Sequence, residues 1–326
     1  MLHILVLGAA AGGGFPQWNC NCAACRRARS NDKNARPSHQ ASVAVSADGE
    51  HWFVLNAAPD LRQQINDNPK LYPHGALRQS PVAGVIVTNG DVDAIAGLLN
   101  LREGTPFSLY GHDRVLSVLR ANSIFNVLDS KLVPRRSLPL GREMPLELAD
   151  GSPSGLTVEA FAVPGKIALY LEEMNKGNFG SEAGDTIGLH IREANGPASL
   201  FFISSCAKMT GDIERRIEGA DLVFFDGTLW ADDEMIKAGM GSKTGQRMGH
   251  MSMSGENGTI AAFRDLGVKR KVFVHINNSN PALLTDSPER RELEAAGWEV
   301  GHDGMEITLP GAASGRVTEK KTAAVS

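Results

Sequence analysis

Residues 19–25 read NCNCAAC, which sets Cys20, Cys22 and Cys25 at C-x-C-x-x-C spacing. The chain has four cysteines in 326 residues, so three of them in one short loop point to a joint task rather than to packing. A disulfide framework suits a short exported chain rich in cysteine. This sequence has few cysteines, and its start, MLHILVLGAAAGGGF, lacks the basic region of an export signal. Three thiolates plus one ligand from a distant segment make the closed tetrahedron of a structural zinc site. Asp303, His39, His302 and Asn278 are the candidates for the fourth position. A redox pair and inert buried thiols are the competing readings. Gly12, Gly13 and Gly14 leave the preceding loop little stiffness of its own, so a zinc here would pin it.

A second stretch raises a different question. Residues 85–98, VIVTNGDVDAIAGL, run from an apolar strand through a polar turn into a helix, the rhythm of a metal-binding loop, yet they contain no histidine. The GAAAGGG run lacks both G-x-G-x-x-G spacing and a P-loop lysine, which argues against nucleotide binding.

These residues need elements to hold them. Short apolar, β-branched segments at 4–7, 42–45, 52–55, 85–87, 107–110, 156–163, 187–191, 200–203, 222–225 and 272–275 predict strands. Helices are expected over 59–66, 93–101, 115–121, 212–218, 256–266 and 288–296, many opened by Asp, Ser or Pro. Strands pair early in each half and alternate with helices later. That order suits an α/β fold of two packed sheets with helices outside them better than one doubly wound sheet. One domain is expected over 1–309. The remainder, 310–326, is small, polar and basic and reads as a disordered tail.

Composition narrows the partners. No apolar run approaches the roughly 18 residues that span a bilayer, and at net charge −4 the basic residues are scattered. The expectation is a cytoplasmic protein with no nucleic-acid or membrane partner and a small or peptidic ligand.

Six segments, LVLGAAAGGGFPQWNCNCAACRRAR, VIVTNGDVDAIAGLLNLREG, FAVPGKIALY, DLVFFDGTLWADDEM, GHMSMSGENG and VFVHINNSNP, in that order, resemble the PqqB family of pyrroloquinoline quinone (PQQ) biosynthesis. Nearly the whole chain is covered. That family lies in the metallo-beta-lactamase superfamily, so the resemblance implies an αββα sandwich of two mixed sheets with metals at one edge. Hydrolases of the superfamily carry a loop like T-H-x-H-x-D-H. Laid on this chain, it falls on Thr88, Asn89, Asp91, Asp93 and Ala94, with a bridging aspartate replaced by Cys206 and the terminal metal histidine matched by His275. A two-zinc hydrolytic centre is not expected from such a set.

The resemblance implies instead that Asp91, Asp93 and His275 converge on one metal. Two carboxylates and one imidazole suit Fe(II), or Mn or Mg, better than zinc. Taken alone, Asp91 or Asp93 could equally be a helix N-cap and His275 a hydrogen-bonded core residue. His250 is a candidate acid or base, or a loop cap. Lys166 could bind a substrate carboxylate or lie in an exposed turn. Ser205 and Cys206 follow a strand, with Cys206 read as a buried thiol in the lost ligand position. Asp226 could orient His275 or cap a turn. Two function classes follow: an oxygenase that hydroxylates the tyrosine ring of a small precursor derived from a Glu- and Tyr-containing peptide, or a non-catalytic carrier or transport factor for PQQ or that precursor. The resemblance leaves open contacts with other pathway proteins and a homodimer.

Overall fold

The computed structural model describes residues 1–172 and 182–311, and most of the expected tail, 312–326, lies outside them. The first sheet holds β1 (Leu2–Gly8), β2 (Ser42–Ser46), β3 (Trp52–Leu55), β4 (Val82–Val87), β5 (Ser108–Gly111) and β6 (Arg135–Ser137). The second holds β7 (Glu143–Glu147), β8 (Pro153–Ala162), β9 (Ile187–Glu193), β10 (Ser199–Ile203), β11 (Val223–Asp226), β12 (Lys271–Val274) and β13 (Trp298–Val300). The chain then returns to the first sheet as β14 (Met305–Leu309). The orders are β14-β1-β2-β3-β4-β5-β6 and β13-β12-β11-β10-β9-β8-β7. Each sheet is half antiparallel and half parallel, the parallel halves being β3 to β6 and β10 to β13.

Apolar inner faces hold the sheets together. Ile4, Phe53, Ile86, Val158, Leu189, Phe202, Phe224 and Val272 pack in one buried cluster between them. Truncating a phenylalanine such as Phe224 there would cost about 3–5 kcal/mol. On the outer face of the first sheet, Leu61–Asp67, Val92–Ile95 and Asp113–Ala121 bury Leu61, Ile95 and Leu116. Ala23–Arg29, Gly211–Ile217 and Pro288–Ala295 bury Cys25, Ile213 and Leu293 against the second. Local signals start these helices. The Thr210 side chain accepts from the Ile213 amide and that of Ser287 from the Arg290 amide, with Pro288 in the first turn. Among the described residues, no helix is long and apolar enough to cross a membrane.

Two expected helices are shorter or of another type. Over 256–266 only Thr259–Ala262 is α-helical, entered through Gly258. The stretch 93–101 is an α turn at Val92–Ile95 followed by a 3-10 helix at Ala96–Leu101. The cause of the second is close packing: the Gly97 amide donates to the Ala57 carbonyl at 2.8 Å, and a Cβ at Gly97 would lie 2.0 Å from the Ala58 carbonyl oxygen. Both parallel halves deliver their carboxyl ends to the same edge of the sandwich, where open α/β sheets place their ligands.

Candidate metal centre

From the first sheet comes the turn after β4. Thr88 donates both its amide and its hydroxyl to Asn56 Oδ1, at 2.9 and 3.0 Å, and Asn56 Nδ2 donates across to Ser204 Oγ, just past the end of β10, at 3.2 Å. Asn56 takes a left-handed φ of 62° to reach both. Asn89 Oδ1 accepts the Asp91 amide at 2.9 Å. Asp91 stands at the N-cap of Val92–Ile95, yet its side chain makes no capping bond. The carboxylate instead lies 3.5 Å from Lys166 Nζ. Burial raises the Asp91 carboxyl above the usual range, and the Lys166 charge opposes that rise. Asp93, in the first turn, meets His275 Nε2 at 2.9 Å through Oδ2.

The second sheet supplies the floor. At the end of β11 Asp226 is fully buried and accepts from the Cys206 amide (2.8 Å), the Thr228 amide (3.0 Å) and the Thr228 hydroxyl (2.6 Å), with His250 Nδ1 2.7 Å away. β12 stops at Val274, one residue short of the expected strand end, because His275 adopts φ 58°. A left-handed non-glycine residue is strained by about 1–3 kcal/mol, and here it turns the imidazole towards Asp93. Burial would lower the His275 pKa, but the hydrogen bond and charge of Asp93 outweigh it and hold the imidazole above its usual range. For Asp93 burial pushes upward, while His275 carries the net shift below the ordinary carboxylate value. Asp226 is likewise lowered despite burial, by His250 and His275.

Asp91, Asp93, His275, His250, Lys166 and Ser205 all line one cavity of about 520 Å³ at this edge. Asp93 and His275 are in direct contact, and Asp91 faces the same space from Lys166. Asp226 is hydrogen-bonded to His275 through Thr228 and to His250 directly. Donor atoms of Asp226, His250 and His275 also fall within 4.8 Å of one another, but the Thr228 hydroxyl stands among them, so that group is a hydrogen-bond hub. Cys206 is fully buried, and burial pushes its thiol up to about 12, that of an inert core thiol. Sequence reasoning missed Thr228 and Asn56. The only signal for Thr228 was its place two residues beyond an acidic strand end, in FFDGT.

The thiol loop forms a separate cluster. The sulfurs of Cys20, Cys22 and Cys25 lie within 4.8 Å of one another. Cys22 opens Ala23–Arg29, its Sγ accepting the Cys25 amide at 3.4 Å, and the Arg29 guanidinium holds the Cys20 and Gln17 carbonyls. Burial pushes Cys25 up to about 11. Of the four candidate partners, Asn278 is the one at the thiols, with Nδ2 3.4 Å from Cys25 Sγ and its carbonyl 3.9 Å from Cys22 Sγ. The others are engaged elsewhere: Asp303 with Ser38 and His39, and His302 with Arg36.

A family model described as beta-lactamase superfamily domain matches residues 51–276. The coenzyme PQQ synthesis protein B of Rhodopseudomonas palustris (strain ATCC BAA-98 / CGA009) is 57% identical over 312 residues, covering 95% of this chain and all of the relative. The protein of the same name from Gluconacetobacter diazotrophicus is 58% identical over 308 residues, covering 94% of this chain and all of the relative. The crystal structure of Zn(2+)-bound PqqB from Methylobacterium extorquens superposes with a TM-score of 0.89 at 48% identity, covering 94% of this chain and all of that one.

Proposed function

The chain belongs to the coenzyme PQQ synthesis protein B family, within the beta-lactamase superfamily, and on that premise we propose that it serves PQQ biosynthesis as a metal-dependent oxygenase. Its substrate would be a small precursor from a Glu- and Tyr-containing peptide, hydroxylated on the tyrosine-derived ring. The observation that carries this reading is the pairing of Asp93 Oδ2 with His275 Nε2 at 2.9 Å inside a cavity that Asp91 also lines. Donors about 3 Å apart are the spacing of neighbours around one cation with bonds near 2.1 Å. Asn89 and Ala94 offer no imidazole for a second ion, which argues against water bridged between two metals and hence against hydrolysis.

Asp91, Asp93 and His275 would hold the metal, and Fe(II) bound there supplies the redox chemistry that activates dioxygen. The chain's own side chains do the rest. Lys166 balances Asp91 and stands where a precursor carboxylate would dock. Leu169 and Tyr170 give the cavity an apolar wall for an aromatic ring, and the Tyr170 hydroxyl, donating to the Gly90 carbonyl at 2.7 Å, ties that wall to the Asp91 turn. His250, with Nδ1 committed to Asp226, keeps Nε2 to accept the proton the ring releases when it regains aromaticity. The Methylobacterium extorquens relative binds Zn(2+), and the three clustered thiols are the donors of this chain that suit that ion best.

The test is anaerobic loading with Fe(II), followed by precursor and air, with mass spectrometry on wild type and His275→Ala. A gain of one oxygen in the wild type that is lost in the variant is the expected result. Tight precursor binding without oxygen gain, unchanged by His275→Ala, would make the protein a carrier.

A further inference from the structure

Thr228 Oγ1 has four polar neighbours: Asp226 Oδ1 at 2.6 Å, His275 Nδ1 at 2.8 Å, and the His275 carbonyl and His250 Nδ1, both at 3.0 Å. A hydroxyl has one proton to give and two lone pairs. Two oxygens compete for that proton, Asp226 Oδ1 at 2.6 Å and the His275 carbonyl at 3.0 Å. The carboxylate is both the nearer and the charged acceptor, so the proton points at Asp226, where two oxygens without a hydrogen between them would repel most. The hydroxyl lone pairs therefore face the imidazoles, and a ring nitrogen 2.8 Å from them must bear a hydrogen. His275 is thereby held with its proton on Nδ1, and its Nε2, opposite Asp93 Oδ2, is left for a second proton or a cation.

His250 stands differently. Its Nδ1 reaches Asp226 Oδ2 directly at 2.7 Å, so its tautomer does not depend on Thr228. We propose that Thr228 is a positioning residue that relays the Asp226 carboxylate to His275, setting the Nδ1–H form of that ring so that Nε2 is the donor presented to the cavity. The hydroxyl does for His275 what a direct carboxylate partner does for many ligand histidines. The inference rests on the proposed centre only in naming what Nε2 receives.

The relay can be read without activity. In protein labelled with 15N-histidine at pH 9, long-range proton–nitrogen correlation reports which nitrogen of each ring is protonated. Wild type and Thr228→Ser should show His275 Nδ1 protonated. Thr228→Val should show it bare, the proton moving to Nε2 against Asp93, with His250 the same in all three. A protonated Nδ1 in Thr228→Val, or a bare one in the wild type, would overturn the proposal, as would equal change at both rings. Thr228→Ala, made alongside, removes the same hydroxyl with less bulk against Asp226 should the valine variant fold poorly. A second reading uses Mn2+ alone as a hard-cation probe. Affinity should fall about 10–100-fold in Thr228→Val and recover to within about threefold of wild type in Thr228→Ser. An unchanged affinity in Thr228→Val would also count against the relay. The nitrogen spectra decide the relay even if oxygen insertion is never observed.

Discussion

The thiol loop and the carboxylate–imidazole centre are built by opposite routes. The loop draws its three sulfurs from residues 20–25, soft donors gathered by local spacing, and borrows Asn278 to face them. The other centre joins Asp93 to His275 across 182 positions, a hard carboxylate and a borderline imidazole that meet only because two sheets bring their strand ends to one edge. One is a motif and the other is a product of topology. They are nonetheless neighbours in the chain, since His275 and Asn278 sit three residues apart on the same turn after β12. The Ala11 amide, which donates to the Ile276 carbonyl at 2.8 Å, ties that turn to the loop that leads into the cysteines.

Four expectations probe this contrast. The largest effect belongs to the topological centre: His275→Ala or Asp93→Ala should cut oxygen insertion more than about 100-fold, beyond the effect of losing an outer partner, with thiol-loop zinc unchanged by metal analysis. Next, Cys22→Ser should lose about one zinc per chain and several kcal/mol of stability, read by calorimetry, because assembling such a site is part of folding. Full stability without zinc would reduce the loop to ornament, while a parallel loss of oxygen insertion would show that the shared turn couples the centres. Third, wild type should hydrolyse chromogenic phosphodiester and beta-lactam substrates at background rates, and robust zinc-dependent turnover would mean that Asn89 and Ala94 have been misread.

The smallest effect concerns His39, a residue that belongs to neither centre. Its Nδ1 lies 2.8 Å from Asp303 Oδ2, and that hydrogen bond raises the imidazole above its usual pKa despite partial burial. A raised folded-state value means stability that is fully present below the ordinary imidazole range and lost as pH rises through the shifted value. Thermal melts should therefore show wild type ahead of His39→Gln by about 1 kcal/mol or less at pH 5.5, with the gap closing at alkaline pH. A gap that widened with pH would refute the assignment.

The same split between local and distant governs what could be read from the residues alone. All ten expected strands exist, and they are the interior strands of the two sheets. The four that were missed, β6, β7, β13 and β14, are the four edges. Their sequences, RRS, EMPLE, WEV and MEITL, are short or charged, as edges must be to avoid pairing with other chains. Interior parallel strands such as VFFD and KVFV are covered on both faces and announce themselves as apolar runs. The thiol loop was legible for the same local reason. Asp91, Asp93 and His275 came into view only by resemblance, and Thr228 not at all, because a threonine after a strand looks like any turn residue until three side chains are seen around its oxygen.

The pairing of β1 with β14, Leu2 against Leu309, bears on how the protein matures on the ribosome. A chain made from its amino end has β2 to β5 ready to pair early, yet the outer flank of β1 stays unpaired until the last strand emerges. Contacts of such high sequence separation are slow to form. The turn carrying His275 and Asn278 also arrives late, long after the cysteines and Asp93. Cysteines and carboxylates thus wait on the nascent chain for partners made 253 and 182 residues later, and a metal captured before release would find neither centre complete.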